Sequence, residues 1–196
     1  MNKIDTILEE KYGAFKKEKG YLFNGVLSKF SSTIYLNVLF IEPKYKENIS
    51  YLKSNGVYIP KEVDEFYQQY NGLALFSHSL AIFGYIASLD MGYTPLGTQR
   101  MNMMTRLKNK SWDDNYLSIG KYSSFDFCLS KKGKDNNIYV IERRTCKLVR
   151  TFCSFNELLD YCINKLSKLY DKEGYKINRP SGSDSWLDNM SLENIF

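Results

Sequence analysis

His78 is the single histidine in a chain of 196 residues, and that scarcity limits the chemistry available. Serine and cysteine nucleophiles are ordinarily activated by a histidine base. His78 lies in Leu75-Phe-Ser-His-Ser-Leu80, a turn-like run between apolar segments, and reads as structural or solvated. Cys128, Cys146, Cys153 and Cys162 form no C-x-x-C pair, so neither a zinc knuckle nor a thioredoxin-like dithiol is signalled. With one histidine, a Cys/His zinc site is hard to assemble. The carboxylates have plainer roles. Asp113-Asp114 falls in the turn-like Trp112-Asp-Asp-Asn115, while Glu62, Asp64 and Glu65 crowd the start of a predicted helix, where the dipole favours negative charge. No phosphate-binding glycine motif is present. The expectation is a chain with no catalytic residue, no metal site and no cofactor: not an enzyme.

Binding chemistry is the remaining option, and charge and aromatic content bear on it. Twenty-seven basic and 22 acidic side chains leave a net +5, too mild to imply nucleic acid. Lys131, Lys132 and Lys134 occupy one predicted turn and Arg143, Arg144 and Lys147 the next. Consecutive turns of a meander lie at opposite ends of the sheet, which makes a poor track for a phosphate backbone. This argues against a nucleic-acid partner. Aromatics make up 15% of the chain. Tyr70, Tyr85, Tyr122 and Phe125 flank turns, where rings can anchor an interface, with core packing as the competing fate for each.

The acids in Met1 to Glu10 stand where a signal peptide needs an apolar run. The charge-free stretch from Gln68 to Leu89 is too polar for a membrane span and is broken by Asn71-Gly72. We therefore expect no membrane association, reduced and buried thiols, and a cytoplasmic protein.

Periodicity supplies the elements. Ile4, Ile7, Leu8, Tyr12 and Phe15 predict a helix over Asn2 to Lys19, stopped by Gly20. Tyr21 to Leu27 and Thr33 to Ile41 read as extended. A helix over Lys44 to Asn55 ends at Gly56. Pro60 opens another, with Val63, Phe66, Tyr67 and Tyr70 on one face and Asn71-Gly72 as a left-handed cap. Leu80 to Tyr85 reads as a buried strand, and Thr98 to Lys108 as a short helix within a long loop. Tyr116 to Ile119, a half-buried Phe125 to Ser130, Ile138 to Glu142 and Leu148 to Phe152 form strands, the last three an antiparallel meander. Ser154-Phe-Asn-Glu157 is a capping box. It opens a helix with Phe155, Leu158, Leu159, Cys162, Ile163, Leu166, Leu169 and Tyr170 on its apolar stripe. The fold class is α+β, a mainly antiparallel sheet with helices packed on it.

This order of elements resembles the SUKH superfamily, which contains bacterial immunity proteins and the fungal Smi/Knr regulators of cell-wall glucan synthesis. The resemblance rests on Pro60, Phe66, Tyr70, Asn71 and Gly72, the strand Leu80 to Tyr85 with Gly84, Phe125 to Leu129 with its aromatic-x-Cys-Leu ending, and the helix from Ser154. It covers about residues 42–174. Where the family often has Gly with Asp or Asn before the middle strand, this chain has Tyr122-Ser123-Ser124-Phe125, and it is more basic than many relatives. The resemblance implies one domain over residues 1–174, with 1–42 as an N-terminal elaboration and 175–196 as a tail. It implies a non-enzymatic domain, monomeric or homodimeric, that binds and neutralises a cognate toxin domain. The alternative is a regulatory interaction module without a toxin partner. The implied partner-binding residues are Tyr70, Asn71, Gly72, Tyr85, Tyr122, Ser124, Phe125 and Asp126.

Overall fold

The structure is a computed structural model that describes residues 43–75, 79–85, 97–166 and 168, together with the backbone of 16–18, 21–24 and 37–40. Its centre is a nine-stranded sheet in which each strand pairs antiparallel with the next in sequence. The strands are β1 (Lys16–Glu18), β2 (Tyr21–Asn24), β3 (Asn37–Phe40), β4 (Gly72–Leu75), β5 (Leu80–Ile82), β6 (Tyr116–Tyr122), β7 (Phe125–Ser130), β8 (Ile138–Glu142) and β9 (Lys147–Phe152). The described helices are α1 (Tyr45–Ser54), α2 (Lys61–Gln69), α3 (Thr98–Lys108) and α4 (Phe155–Leu166). The fold is α+β, a meander with helices packed on it.

One face of the sheet carries the main core. Leu73, Leu75, Leu80, Ile82, Leu117, Phe127, Leu129 and Val140 alternate along their strands and meet the apolar stripes of α1, α2 and α4. In α2 these are Val63, Phe66 and Tyr67, and in α4 Phe155, Leu158, Leu159, Cys162, Ile163 and Leu166. Phe66 stacks edge-on against Phe155 at 5.5 Å, joining the two helices. The capping box of α4 forms in part, its reciprocal bond reaching the residue before Ser154. The Glu157 N–H donates to Ser154 Oγ, and the Cys153 N–H donates to Glu157 Oε2 at 2.9 Å. Glu62 of α2 accepts from the Asn156 N–H at 2.8 Å, so an acid from a neighbouring helix also satisfies the first turn of α4.

Several expectations are corrected. Lys16–Glu18 is strand, not helix, and pairs with β2 through Glu18↔Tyr21. Gly20 stops a helix, but an X-Gly pair between two strands is equally a hairpin signal. The rest of that predicted helix lies outside the described residues, as do His78, Leu169, Tyr170 and the tail. Asn71-Gly72 is not a left-handed cap. Tyr70 is already extended at φ −136° and Gly72 opens β4 directly. The cap after α1 does follow expectation, with Gly56 at φ 74°.

β7 is buried on both faces rather than one. The second face carries Cys128 and Ile141 under Trp112, and Asp126 paired with Arg143. All four thiols are free. Cys128 and Cys162 are buried as expected, but Cys153 is exposed at the start of α4. No helix among the described residues is long and apolar enough to cross a membrane.

Candidate functional site

Helix α3 inverts the usual pattern of a surface helix. Its inward stripe is polar, consisting of buried Thr98, Asn102 and Thr105, while Met103 and Leu107 stand 53% and 70% exposed on its outer face. A surface helix normally turns its apolar stripe to the core. What holds α3 in place is hydrogen bonding. β5 pairs with β6 only from Gly120 to Tyr122, which leaves the N–H and C=O of Ser118 without a strand partner on that side. Asn102 fills the gap: its Oδ1 accepts from the Ser118 N–H at 2.8 Å and its Nδ2 donates to the Ser118 carbonyl at 2.7 Å. The far end of α3 is tied down as Asn109 Nδ2 donates to the Arg143 carbonyl at 2.8 Å. Asn102→Ala leaves both Ser118 groups buried and unpaired, and urea denaturation is expected to show a loss of about 2 kcal/mol.

Residues 83–85 lie beside the start of α3 and are fixed by their backbones. The Phe83 N–H donates to the Ile119 carbonyl, and Tyr67 Oη donates to the Phe83 carbonyl at 2.8 Å. Burial pushes the Tyr67 hydroxyl far above its ordinary pKa, so it stays a proton donor. The Thr98 N–H donates to the Gly84 carbonyl at 3.0 Å. A second amide then repeats the Asn102 device. Asn71 Oδ1 accepts from the Tyr85 N–H at 2.8 Å, and Asn71 Nδ2 donates to the Tyr85 carbonyl at 2.9 Å. Asn48 Nδ2 donates to the same Asn71 Oδ1 at 3.0 Å and fixes its orientation. Tyr85, 38% exposed, is thus a ring held on a clamped backbone at the foot of a helix with an apolar outer face. Preorganisation of this kind lowers the entropy cost of binding.

The eight residues expected to contact a partner divide sharply. Tyr70, Tyr122 and Phe125 belong to the main core and Gly72 is buried in β4. Asp126 is 1% exposed and held by Arg143, with Nε to Oδ2 at 3.0 Å and the guanidinium NH2 to Oδ1 at 2.6 Å. These five are buried. Ser124 is half-buried and its carbonyl accepts from the Arg143 N–H; its Oγ is buried without a hydrogen-bond partner among the described residues. Asn71 is half-buried and acts through Tyr85. Only Tyr85 presents a ring outward. Met103 and Leu107 were missed; the clustered methionines of Met101 to Met104 were the one available hint, because flexible Met side chains suit adaptable surfaces.

The carboxylates do structural work. Asp64 accepts from Tyr45 Oη at 2.8 Å, Glu65 pairs with Lys61, Asp113 accepts from the Asn115 N–H in its turn, and Asp114 pairs with Arg106 at 3.1 Å. Lys121, cross-strand from Asp126, has its pKa lowered by burial and by the neighbouring Arg143, with Asp126 opposing. The two basic turns do lie at opposite ends of β8, and Arg143 is engaged with Asp126. The sequence matches no protein-family model and no curated protein sequence.

Proposed function

We infer that the chain is a protein-binding domain, and that it acts in the cytoplasm as an immunity protein of the SUKH type, blocking a cognate toxin domain by occlusion. The observation that carries the binding role is the inverted helix α3, whose Met103 and Leu107 are exposed and whose start is tied to Gly84, the residue before the exposed Tyr85. Apolar groups turned outward on a helix that is anchored through polar groups contribute nothing to the core, and such patches mark interaction sites. Arg100 and Lys108 are also exposed on α3, giving the patch a basic rim that suits an acidic or neutral partner face.

The SUKH assignment rests on the resemblance, and one backbone detail supports it. Ser123 has φ 51° in the β6–β7 turn, at the place where the family often carries Gly with Asp or Asn. Those residues tolerate the left-handed conformation best.

The surface is tested by Tyr85→Ala and by the double change Met103→Asp/Leu107→Asp. Each is expected to stay within about 1 kcal/mol of wild-type stability, since the altered side chains are exposed. Each should weaken capture of the toxin domain by about tenfold or more. Unchanged capture by both folded variants contradicts this surface.

A further inference from the structure

β9 ends the nine-stranded sheet, and among the described residues no strand pairs with its far edge. An unpaired edge presents a row of N–H and C=O groups to any extended segment. Lys147, Leu148, Val149 and Thr151 are all exposed, and only Phe152 of this strand is buried. Leu148 is 50% and Val149 43% exposed, apolar groups that a merely guarded edge does not call for. Register sorts the two faces. Lys147 lies opposite Glu142 and Arg150 opposite Val140, so both cations share the face of Phe125 and Phe127 in the main core. Leu148 lies opposite Ile141, on the second face. Arg150 is fixed by stacking, its guanidinium 4.5 Å from the Phe152 ring and 4.4 Å from the Tyr161 ring. Arg144, Lys147 and Arg150 have no carboxylate within ion-pair distance among the described residues, and Glu142 accepts from Thr145 Oγ1. More basic charge gathers where β9 begins. Asn109 Nδ2 donates to the carbonyls of Arg143 and Arg144, which brings the exposed Lys108 and Lys110 to the same turn.

We propose that β9 takes up an extended acidic segment of a partner protein as a further strand. Its carboxylates lie on the face of Lys147 and Arg150, and its apolar side chains on the face of Leu148. In strand addition, backbone pairing supplies affinity and the alternating side chains supply selectivity. The β-bulge that leaves Val149 unpaired limits open-ended pairing of sheets. The cations select further. A second copy is disfavoured, because joining two β9 edges sets Arg144, Lys147 and Arg150 of both copies against one another. A strand bearing carboxylates has the complementary charge. This contact goes beyond the Tyr85 and α3 surface and does not depend on it.

Hydrogen–deuterium exchange on the full chain tests this with two synthetic peptides of about ten residues, one alternating Glu with Val and one alternating Lys with Val. At millimolar concentration the acidic peptide is expected to slow exchange of the β9 amides that point away from β8 about tenfold. The basic peptide should leave them unchanged, and β7 amides serve as the folding control. Raising salt from roughly 0.05 to 0.5 M should weaken the protection. Lys147→Glu with Arg150→Glu should abolish it, and Lys147→Glu alone should reduce it where the double variant does not fold. Met103→Asp/Leu107→Asp should leave it intact, which separates failure of this contact from failure of the α3 surface. An acidic peptide that leaves β9 exchange unchanged, or a basic one that protects it equally, overturns the proposal. So does a wild-type dimer whose β9 protection falls on dilution, since the occupant is then a second copy.

Discussion

Replacing Gly84 by Ala is expected to lower unfolding stability by about 3 kcal/mol or more, the upper end for an overpacking change. A Cβ built on Gly84 meets the Asn71 carbonyl oxygen at 1.6 Å, its carbon at 2.7 Å and Asn71 Oδ1 at 2.8 Å. Two of these atoms are backbone, so no rotamer change relieves the clash. The displaced group is also the one that clamps Tyr85, so the candidate surface loosens along with the fold. Two other glycines make the comparison quantitative. At Gly120 an added Cβ meets the Ala81 carbonyl at 2.7 Å and the flexible end of Ile82 at 2.8 Å, a milder conflict. At Gly56 the space is open but φ is +74°, which costs a non-glycine residue about 1 kcal/mol. Urea denaturation should rank the losses as Gly84→Ala, then Gly120→Ala, then Gly56→Ala. A Gly84→Ala protein within 1 kcal/mol of wild type, as an order-of-magnitude bound, contradicts the close approach.

The second large effect is expected at the charge pair beneath the β8–β9 turn. Arg143→Met leaves Asp126, 1% exposed, without its bidentate partner. Stranding a buried charge typically costs 3–5 kcal/mol. The Arg143 side chain is 31% exposed, so partial solvation places the expected loss near the lower end, about 3 kcal/mol. Lys121 softens the effect, because Arg143 is one of the groups that depress its pKa. With that repulsion gone, the Lys121 ammonium is better able to serve Asp126. The informative control is Asp126→Asn with Arg143→Met, which leaves no charge behind and should recover most of the loss. A double variant as unstable as Arg143→Met alone would show that packing by the Arg143 side chain, not charge, holds this turn.

Local pattern was legible wherever one face of an element meets the main core. The stripes of α2 and α4 and the alternation of Phe125, Phe127 and Leu129 in β7 follow from side-chain periods that the core enforces. Legibility failed where long-range hydrogen bonds decide. β4 was missed because Gly72–Leu75 is short and follows a residue pair that resembles a helix cap. Lys16–Glu18 was assigned to a helix because its pairing partner β2 outweighs local period. The orientation of α3 was not legible at all. It follows from Asn102 finding Ser118, sixteen residues away, and no local window reveals which amide will complete a ladder. The same limit governed the site. Tyr122 and Phe125 flank a turn in sequence, yet both belong to the main core. Tyr85, whose backbone N–H and carbonyl are both bonded by Asn71, stays exposed.

The binding account is tested most directly by co-expressing the chain with the toxin that the proposed function places in a neighbouring gene and resolving the lysate on a sizing column. Suppressed toxicity with the two proteins co-eluting is the predicted result, lost when Tyr85→Ala, Met103→Asp and Leu107→Asp are combined. Full toxicity with the two proteins eluting apart contradicts it.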